Sequence, residues 1–315
     1  MREIVVVFPG QGSQYVGMGK KLEGHEAFHL FGRADNTLNF SLTTLMFEGP
    51  EDQLKLTKNA QPAIISHSLA LFQKCEDVLK RKNLKVTKVL GHSVGEYAAL
   101  AAAGVLSFED AVKAVHLRGK FMQEAVAPGQ GKMYAIMKVP EDTVRKACDE
   151  ASKGGTLVMP ANFNEPNQIV ISGEAEACTR AIKWMEANHP ERFRAMELNV
   201  SAPFHSSFMK PAADELSKAF GQFKWNSNTI PYIANINATE YVAGTDVETI
   251  KKNLIEQVAG SVLWTHSIKK LAAGSLVIEA GPGKVLKGLI AKINPELKVI
   301  SLDDDAAWNE LEELV

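Results

Sequence analysis

The segment from Val86 to Gly104 places the strongest constraint on the fold, because it joins an apolar run, a serine between two glycines and an alanine-rich stretch. The run Val86–Leu90 predicts a strand, GHSVG predicts a tight turn, and EYAALAAAG predicts a helix that Gly104 ends. A serine at a sharp strand-to-helix turn, with glycine two residues away on either side, is the pattern of a nucleophile elbow. The segment therefore predicts an α/β fold in which Ser93 stands clear of the end of a strand.

The GHSVG pattern alone is also compatible with a tight turn that has no catalytic role. If Ser93 is reactive, it needs a base. His205 is the best candidate, because it lies in SAPFHSS, a short turn-like stretch after a predicted strand and away from any periodic apolar face. A histidine in a surface loop is the alternative interpretation. His92 is the second candidate for the base, but it belongs to the elbow itself. The six other histidines are typical of helix faces or of the surface: His25, His29, His67, His116, His189 and His266.

A second glycine-rich turn follows the N-terminal apolar run, in the sequence FPGQGSQ. The consecutive β-branched residues Val5–Val7 predict a strand that is buried on both faces, as in a parallel sheet. Gly10 and Gly12 would let the backbone approach a ligand closely. The amide of Gln11 is then a candidate oxyanion donor, beside the amide of Val94 at the start of the predicted helix. An ordinary turn is the alternative, and neither the P-loop nor the dinucleotide-binding glycine spacing is met.

Arg118 stands out on the helix that follows the elbow helix, in the sequence HLRGKFMQ. A planar guanidinium can bind a carboxylate with two parallel hydrogen bonds. If it is buried near Ser93, it would select acyl groups that carry a distal carboxylate. A solvated helix arginine is the alternative interpretation.

The chain has a different rhythm between residues 132 and 200, where strands and helices follow the split βαβ pattern. We expect a ferredoxin-like small domain at 131–200, inserted into a discontinuous α/β catalytic domain formed by 1–130 and 201–315. The large domain is also expected to contain a helix from Phe108 to Ala127, which Pro128 ends, short strands around Ile230–Asn235, and a buried strand at Leu276–Glu279. The predicted elements of the small domain are strand Lys132–Val139, helix Pro140–Ser152, strands Thr156–Asn162 and Gln168–Ser172, helix Glu174–Asn188 and strand Arg194–Val200.

Composition excludes several classes of protein. The 315 residues carry 35 Lys and Arg against 37 Asp and Glu, so the basic excess of a typical nucleic-acid binder is missing. Cys75, Cys148 and Cys178 are scattered, which argues against a disulfide framework or a zinc site. No apolar run reaches the roughly 18 residues of a membrane span, and the short run at Ile4–Phe8 does not suit a signal peptide. We expect a cytoplasmic protein that binds neither nucleic acid nor membrane.

Five segments, in their order and spacing, resemble the malonyl-CoA:acyl carrier protein transacylases. They are FPGQGSQ, GHSVGEYAAL, HLRGKFMQ, ANFNEPNQIVISG and SAPFHSSFM. The resemblance covers essentially the whole chain and implies a hydrolase-like core with a parallel sheet and a ferredoxin-like insert. At 202–204 the sequence has Ala-Pro-Phe where many bacterial members have Val-Pro-Ser, and this version of the motif resembles the malonyl-preferring one.

The resemblance also implies the roles of the site residues. Ser93 would be the nucleophile and His205 its base, in a dyad in which the backbone carbonyl of Gln257 orients the imidazole. Arg118 would bind the malonyl carboxylate. The remaining implied roles are oxyanion donation by the backbone amides of Gln11 and Val94, and substrate binding by Asn162 and Phe204.

The implied activity is transfer of malonyl from malonyl-CoA to the phosphopantetheine thiol of acyl carrier protein, through a malonyl-serine intermediate, to supply the elongation unit for fatty acid synthesis. The coenzyme A thioester is then a substrate, with no permanently bound cofactor or metal, and the protein is expected to be a monomer. Acyl carrier protein is acidic, so a basic docking surface is expected. Two clusters are candidates, with solvated charged faces as the alternative: Lys80, Arg81, Lys82, Lys85 and Lys88 form the first, and Lys284 and Lys287 the second.

Two other functions are compatible with part of this pattern. A serine esterase or thioesterase would use the same elbow and would release a free acid to water. A non-catalytic scaffold that binds acyl carrier protein would need none of the reactive groups. The joint presence of Ser93, His205 and Arg118 argues against the scaffold.

Overall fold

The computed structural model describes residues 3–127, 129–200 and 202–315. Within these ranges the strands form two separate sheets, one of six strands and one of four. In chain order the strands are β1 (Ile4–Phe8), β2 (Lys88–Gly91), β3 (Gly131–Met137), β4 (Val158–Glu165), β5 (Gln168–Glu174), β6 (Arg194–Glu197), β7 (Tyr232–Ile233), β8 (Glu240–Tyr241), β9 (Leu276–Glu279) and β10 (Lys298–Ser301).

The six-stranded sheet has the order β10-β9-β1-β2-β7-β8 and is parallel from β10 to β7, with β8 antiparallel at one edge. All five residues of its central strand β1 are buried. Val6 and Phe8 point into one hydrophobic core, whereas Val5 and Val7 point into another on the opposite face. Because successive side chains alternate between faces, a strand between two apolar layers needs an uninterrupted apolar sequence, as predicted.

Helices cover both faces of this sheet, and one of them, α4, is 25 residues long. It packs against α6, which carries Arg118. In the described part of the chain no helix has the length and hydropathy needed to cross a bilayer. In chain order the helices are α1 (His29–Leu38), α2 (Leu42–Glu48), α3 (Glu51–Lys55), α4 (Thr57–Arg81), α5 (Gly95–Ala102), α6 (Phe108–Glu124), α7 (Glu141–Ser152), α8 (Ala175–Asn188), α9 (Lys210–Ala219), α10 (Val247–Ala259), α11 (Trp264–Ile268), α12 (Val285–Ile293) and α13 (Ala306–Leu314).

The four-stranded sheet has the order β4-β5-β3-β6, and all of its neighbours are antiparallel. Together with α7 and α8 it follows the split βαβ pattern that the sequence predicts, and it encloses a hydrophobic core of its own. The predicted fold class, a parallel α/β core with a ferredoxin-like small unit, is confirmed. The division into domains at 131 and 200 stays a prediction, which the separate core supports. Met1, Arg2, Pro128 and Ser201, which fall within the predicted domains, lie outside the described residues.

Two predicted elements are shorter in the structure. The helix expected to reach Ala127 ends at Glu124, since the residue before a proline disfavours the helical conformation. The strand expected to reach Val200 ends at Glu197, because the chain leaves the sheet after a backbone hydrogen bond from Leu198 to the carbonyl of Met133 and then lines a cleft. Two strands were not predicted: β8, which has two residues, and β10, which lies at the sheet edge.

Lys88 does not belong to an exposed basic cluster, and this part of the sequence prediction is wrong. It is the first residue of β2, its exposure is 6%, and its Nζ lies 2.8 Å from Glu240 Oε2. Lys88 reaches Glu240 across the two-residue strand β7, which lies between β2 and β8. Its charge is therefore neutralised inside the fold.

Candidate active site

The site lies at the carboxyl edge of the six-stranded sheet, where the turns after β1 and β2 meet. Both glycines of the elbow are required by close approach. A Cβ on Gly91 would lie 1.9 Å from the carbonyl carbon of Gly95, and a Cβ on Gly95 would lie 2.2 Å from the carbonyl oxygen of Phe8. The sharp turn therefore brings Ser93 against the end of the central strand, as the motif predicts.

Ser93 adopts a left-handed backbone conformation with φ of +52°, which costs a non-glycine residue about 1–2 kcal/mol. Asn235, just after β7, holds this conformation. Its Oδ1 accepts the backbone N–H of Ser93 at 2.7 Å, and its Nδ2 donates to the carbonyl of Gly91 at 2.6 Å. The sequence analysis missed Asn235, and the only local signal was its position at the end of a predicted strand.

His205 is paired with Ser93 in the structure. Its Nε2 lies 2.7 Å from Ser93 Oγ, and its Nδ1 lies 2.9 Å from the carbonyl oxygen of Gln257 and 3.2 Å from that of Gly260. Because carbonyl oxygens only accept, Nδ1 carries the proton and Nε2 is left as an acceptor. Burial, helped by the charge of Arg118, lowers the pKa of His205 to about 3. The imidazole is therefore neutral and able to take the hydroxyl proton.

Arg118 is buried beside the nucleophile, with an exposure of 1%, so it is not a solvated helix arginine. One terminal nitrogen donates to Gln61 Oε1 at 2.9 Å. The other donates to Gln257 Oε1 at 2.9 Å and to Ser93 Oγ at 3.2 Å. Burial lowers its pKa from the usual value. These hydrogen-bond partners are neutral, and the carboxyl group of Glu96 acts on Arg118 without a direct hydrogen bond in the described ranges. A buried cation without a directly paired anion is costly. A ligand carboxylate would offset that cost.

Gln257 contributes more than the backbone carbonyl that the resemblance implied. Its side-chain Nε2 donates to the carbonyl of Ser93 at 2.9 Å and to Glu96 Oε2 at 2.7 Å, while its Oε1 accepts from Arg118. Burial raises the pKa of Glu96 to about 7. The sequence analysis missed Glu96 and Gln61. Both are polar residues within otherwise apolar helical stretches, and that contrast was the available signal.

A cleft of about 730 Å³ opens over Ser93 between the two sheets. His92, the second candidate for the base, hydrogen-bonds Asn164 at 2.9 Å and so links the elbow to the small sheet. The side chain of Val94 is fully buried outside the cleft, which leaves only its backbone N–H, at the start of α5, for a ligand. Six predicted site residues line the cleft: Gln11, Ser93, Arg118, Asn162, Phe204 and His205.

The arrangement supplies the groups that acyl transfer needs: a nucleophile, a base and a cation at one point, with backbone donors nearby. Within the described residues no group of three or more His, Cys, Asp or Glu side chains could hold a metal ion.

Comparisons with known proteins point to one family. The acyl transferase domain family matches residues 5–282. The malonyl CoA-acyl carrier protein transacylase of Bacillus subtilis is 43% identical over 308 residues, covering 96% of this chain and 94% of that protein. The enzyme of the same name from Haemophilus influenzae is 39% identical over the full length of both chains.

Solved structures give the same result. An acyl carrier protein S-malonyltransferase from Vibrio cholerae aligns with a TM-score of 0.90 at 39% identity, covering 98% of this chain and 99% of that one. A malonyl-transacylase in complex with a type II PKS acyl-carrier protein aligns with a TM-score of 0.91 at 36% identity, covering 99% and 100%. The chain belongs to the acyl transferase domain family and, within it, to the malonyl CoA-acyl carrier protein transacylases.

Proposed function

We propose that this chain transfers malonyl from malonyl-CoA to the phosphopantetheine thiol of acyl carrier protein, through a malonyl ester of Ser93. One observation carries the proposal: Ser93 Oγ is within hydrogen-bond distance of both His205 Nε2 and an Arg118 nitrogen. A nucleophile that touches a base and a buried cation suits an acyl group with its own negative charge. Malonyl-CoA and acyl carrier protein are proposed as the two substrates because the names of the related enzymes contain them.

In the first half-reaction, His205 Nε2 accepts the hydroxyl proton as Ser93 Oγ attacks the thioester carbonyl. The resulting oxyanion is stabilised by the backbone N–H groups of Gln11 and Val94, and removal of one such donor typically costs about 2.7–4 kcal/mol. Collapse of the tetrahedral intermediate breaks the carbon–sulfur bond. Coenzyme A leaves with the proton that His205 held, and malonyl stays on Ser93.

In the second half-reaction the thiol of the phosphopantetheine arm takes the place of coenzyme A. His205 accepts the thiol proton, sulfur attacks the ester carbonyl, and Ser93 leaves with the returned proton. Both halves use one site, so the two donors bind in turn, in a ping-pong order. The coenzyme A thioester is then a substrate, and no step needs a resident cofactor.

Arg118 distinguishes this function from that of a serine hydrolase with the same dyad. Its guanidinium would hold the malonyl carboxylate and keep the ester carbonyl between Ser93 and the oxyanion donors. A hydrolase of uncharged acyl groups has no need of a buried arginine beside its nucleophile. Arg118 thus supports malonyl transfer over the esterase or thioesterase alternative.

Acyl carrier protein is proposed to dock near Lys284 and Lys287. Both are exposed at the start of α12, which follows the carboxyl end of β9 and so lies on the same edge of the sheet as Ser93. The first basic cluster lies elsewhere. Within helix α4, Gln61 contacts Arg118, whereas Lys80 lies about 28 Å farther along the helix axis at a rise of 1.5 Å per residue. The expectations of a monomer and of a cytoplasmic location stay predictions.

Mass spectrometry of the protein after exposure to malonyl-CoA tests the proposed function. A malonyl group on the peptide that contains Ser93 is expected, and it should disappear when acyl carrier protein is added. S93A should carry no adduct. Rapid release of free malonate without an acceptor would favour the hydrolase, and the absence of any acyl-enzyme in the wild type would revive the scaffold.

A further inference from the structure

A buried glutamate in the first turn of the elbow helix takes no part in the reaction described above. Glu96, on α5, has an exposure of 1%. Its Oε2 accepts hydrogen bonds from Gln257 Nε2 at 2.7 Å and from the backbone N–H of Asn235 at 3.3 Å. A carboxyl group is rarely this deeply buried, and its hydrogen bonds must offset the free-energy cost of removing it from water. Asn235 holds the backbone of Ser93 and Gln257 accepts a hydrogen bond from Arg118, so both partners of Glu96 contact site residues.

The contact with Gln257 determines which end of that amide faces Arg118. An amide presents an oxygen that accepts and a nitrogen that donates, whereas a guanidinium only donates. The carboxyl Oε2 of Glu96 and the carbonyl of Ser93 both attract Gln257 Nε2. Gln257 Oε1 is thereby turned toward Arg118. In the opposite orientation, donor would face donor at Arg118, and acceptor would face acceptor at Glu96 and at the Ser93 carbonyl.

The contact with Asn235 has a different effect. Asn235 holds the elbow itself, through the backbone of Gly91 and Ser93. Loss of this contact would displace the nucleophile and slow the reaction of every acyl donor alike. Loss of the Gln257 contact would misplace the guanidinium and affect donors that carry a carboxylate more than donors that lack one. The two contacts can therefore be separated by comparing acyl groups.

We propose that Glu96 is a positioning residue for acyl selection, which orients the Gln257 amide and thereby holds Arg118 in place for the malonyl carboxylate. This inference rests on the proposed function. Glu96 touches no substrate in it and acts only through Gln257.

The experiment measures the first half-reaction alone, as the rate of Ser93 acylation at a series of malonyl-CoA or acetyl-CoA concentrations. Acetyl-CoA lacks the distal carboxylate, so its rate of acylation reports the reactivity of Ser93 without the contribution of Arg118. E96D keeps the carboxyl group but withdraws it by one methylene, and E96L removes it. Both should lower the malonyl-to-acetyl ratio of acylation efficiency at least tenfold, mainly through weaker malonyl-CoA binding. E96Q keeps an oxygen that accepts both hydrogen bonds and should stay within threefold of the wild type.

E279Q is the matched control. Glu279 is another fully buried glutamate at the same edge of the sheet, but it accepts from the backbone of Leu286 and Lys287 and from Ser301. Its substitution should leave the malonyl-to-acetyl ratio unchanged, whatever it does to stability. Circular dichroism checks that each variant folds. If E96L does not fold, the malonyl-to-acetyl ratio of E96D tests the role of Glu96.

A ratio within threefold of the wild type in E96D, or an equal loss with both donors, would overturn the role of Glu96. Either result would leave the proposed function intact as long as the wild type forms the malonyl ester of Ser93. A wild type without that ester would remove the proposed function itself, independently of any Glu96 variant.

Discussion

The protonation state of His205 sets the pH range in which Ser93 can react. Burial and the nearby Arg118 charge lower the pKa of this imidazole from 6.5 to about 3. The folded protein therefore keeps the basic form at pH values where the unfolded chain binds a proton. Between about pH 6.5 and pH 3 this group makes the fold less stable as the pH falls, because only the unfolded state gains the proton.

The corresponding prediction concerns the acid side of the pH profile. The rate of Ser93 acylation by malonyl-CoA should stay level from about pH 6 to pH 5, whereas a histidine with an ordinary pKa would be only about 3% neutral at pH 5. Burial raises the pKa of Glu96 to about 7, so that group is already protonated in this window. Rapid-quench measurements check the rate. A decline of about eightfold across the window would show that His205 titrates normally.

A second prediction concerns Arg118. R118A should lower kcat/KM for malonyl-CoA at least about thirtyfold, the scale expected when one partner of a buried charge pair is truncated, and should raise the relative activity with acetyl-CoA. Competition between the two donors measures the change. R33A is the control, because Arg33 is an exposed arginine paired with Glu109. Equal losses with both donors would contradict the clamp role.

At the scale of elements, the elbow depends on the end of a neighbouring strand. The two hydrogen bonds of Asn235 tie the turn after β2 to the chain after β7, and they hold Ser93 in its left-handed conformation. Each buried polar group left without a partner costs about 1–3 kcal/mol. The nucleophile is thus held in place by a residue that lies outside the GHSVG motif.

N235A should therefore slow Ser93 acylation at least tenfold and lower the free energy of unfolding by about 1–3 kcal/mol. Chemical denaturation and adduct formation measure the two effects. Asn228 offers a matched control, since it is also buried and its Nδ2 donates to the carbonyls of Ile230 and Val242. N228A should lose similar stability with an unchanged acylation rate. The same rate loss in both variants would show that the effect is general.

Local patterns predict the elements that have strong periodicity or punctuation. The β-branched run in β1, the elbow after β2 and the alternation of strands and helices from β3 to β6 were all visible in the sequence. The two-residue β8 and the edge strand β10 were not, because short strands at an edge carry little apolar pattern. Glu96, Gln61 and Asn235 were missed for another reason. Their partners lie 57 to 161 residues away, and such contacts leave no local trace.

On the scale of the whole molecule, the active site faces a surface that must accept a protein as well as a small thioester. The carboxyl edge of the sheet carries the cleft and the exposed Lys284 and Lys287, whereas Lys85 lies before the start of β2 at the opposite edge. Net charge is −2, so attraction of an acidic partner depends on where the lysines lie.

The double variant K284E/K287E should raise the KM for acyl carrier protein about tenfold or more and leave malonyl-enzyme formation unchanged, because charge reversal repels an acidic partner. Steady-state kinetics at low ionic strength measures the KM, and single-turnover acylation measures the first half-reaction. K85E, on the opposite edge, is the control and should change neither. An unchanged KM in the double variant would rule out this docking surface.

The order of the site residues along the chain has a consequence for synthesis on the ribosome. The small sheet lies between Ser93 and His205, and the carbonyls that orient the imidazole come from Gln257 and Gly260. The central strand β1 lacks its β9 neighbour until residue 279 has emerged. In a nascent chain Ser93 is therefore present long before His205, and the imidazole cannot be oriented as a base until residue 260 has emerged.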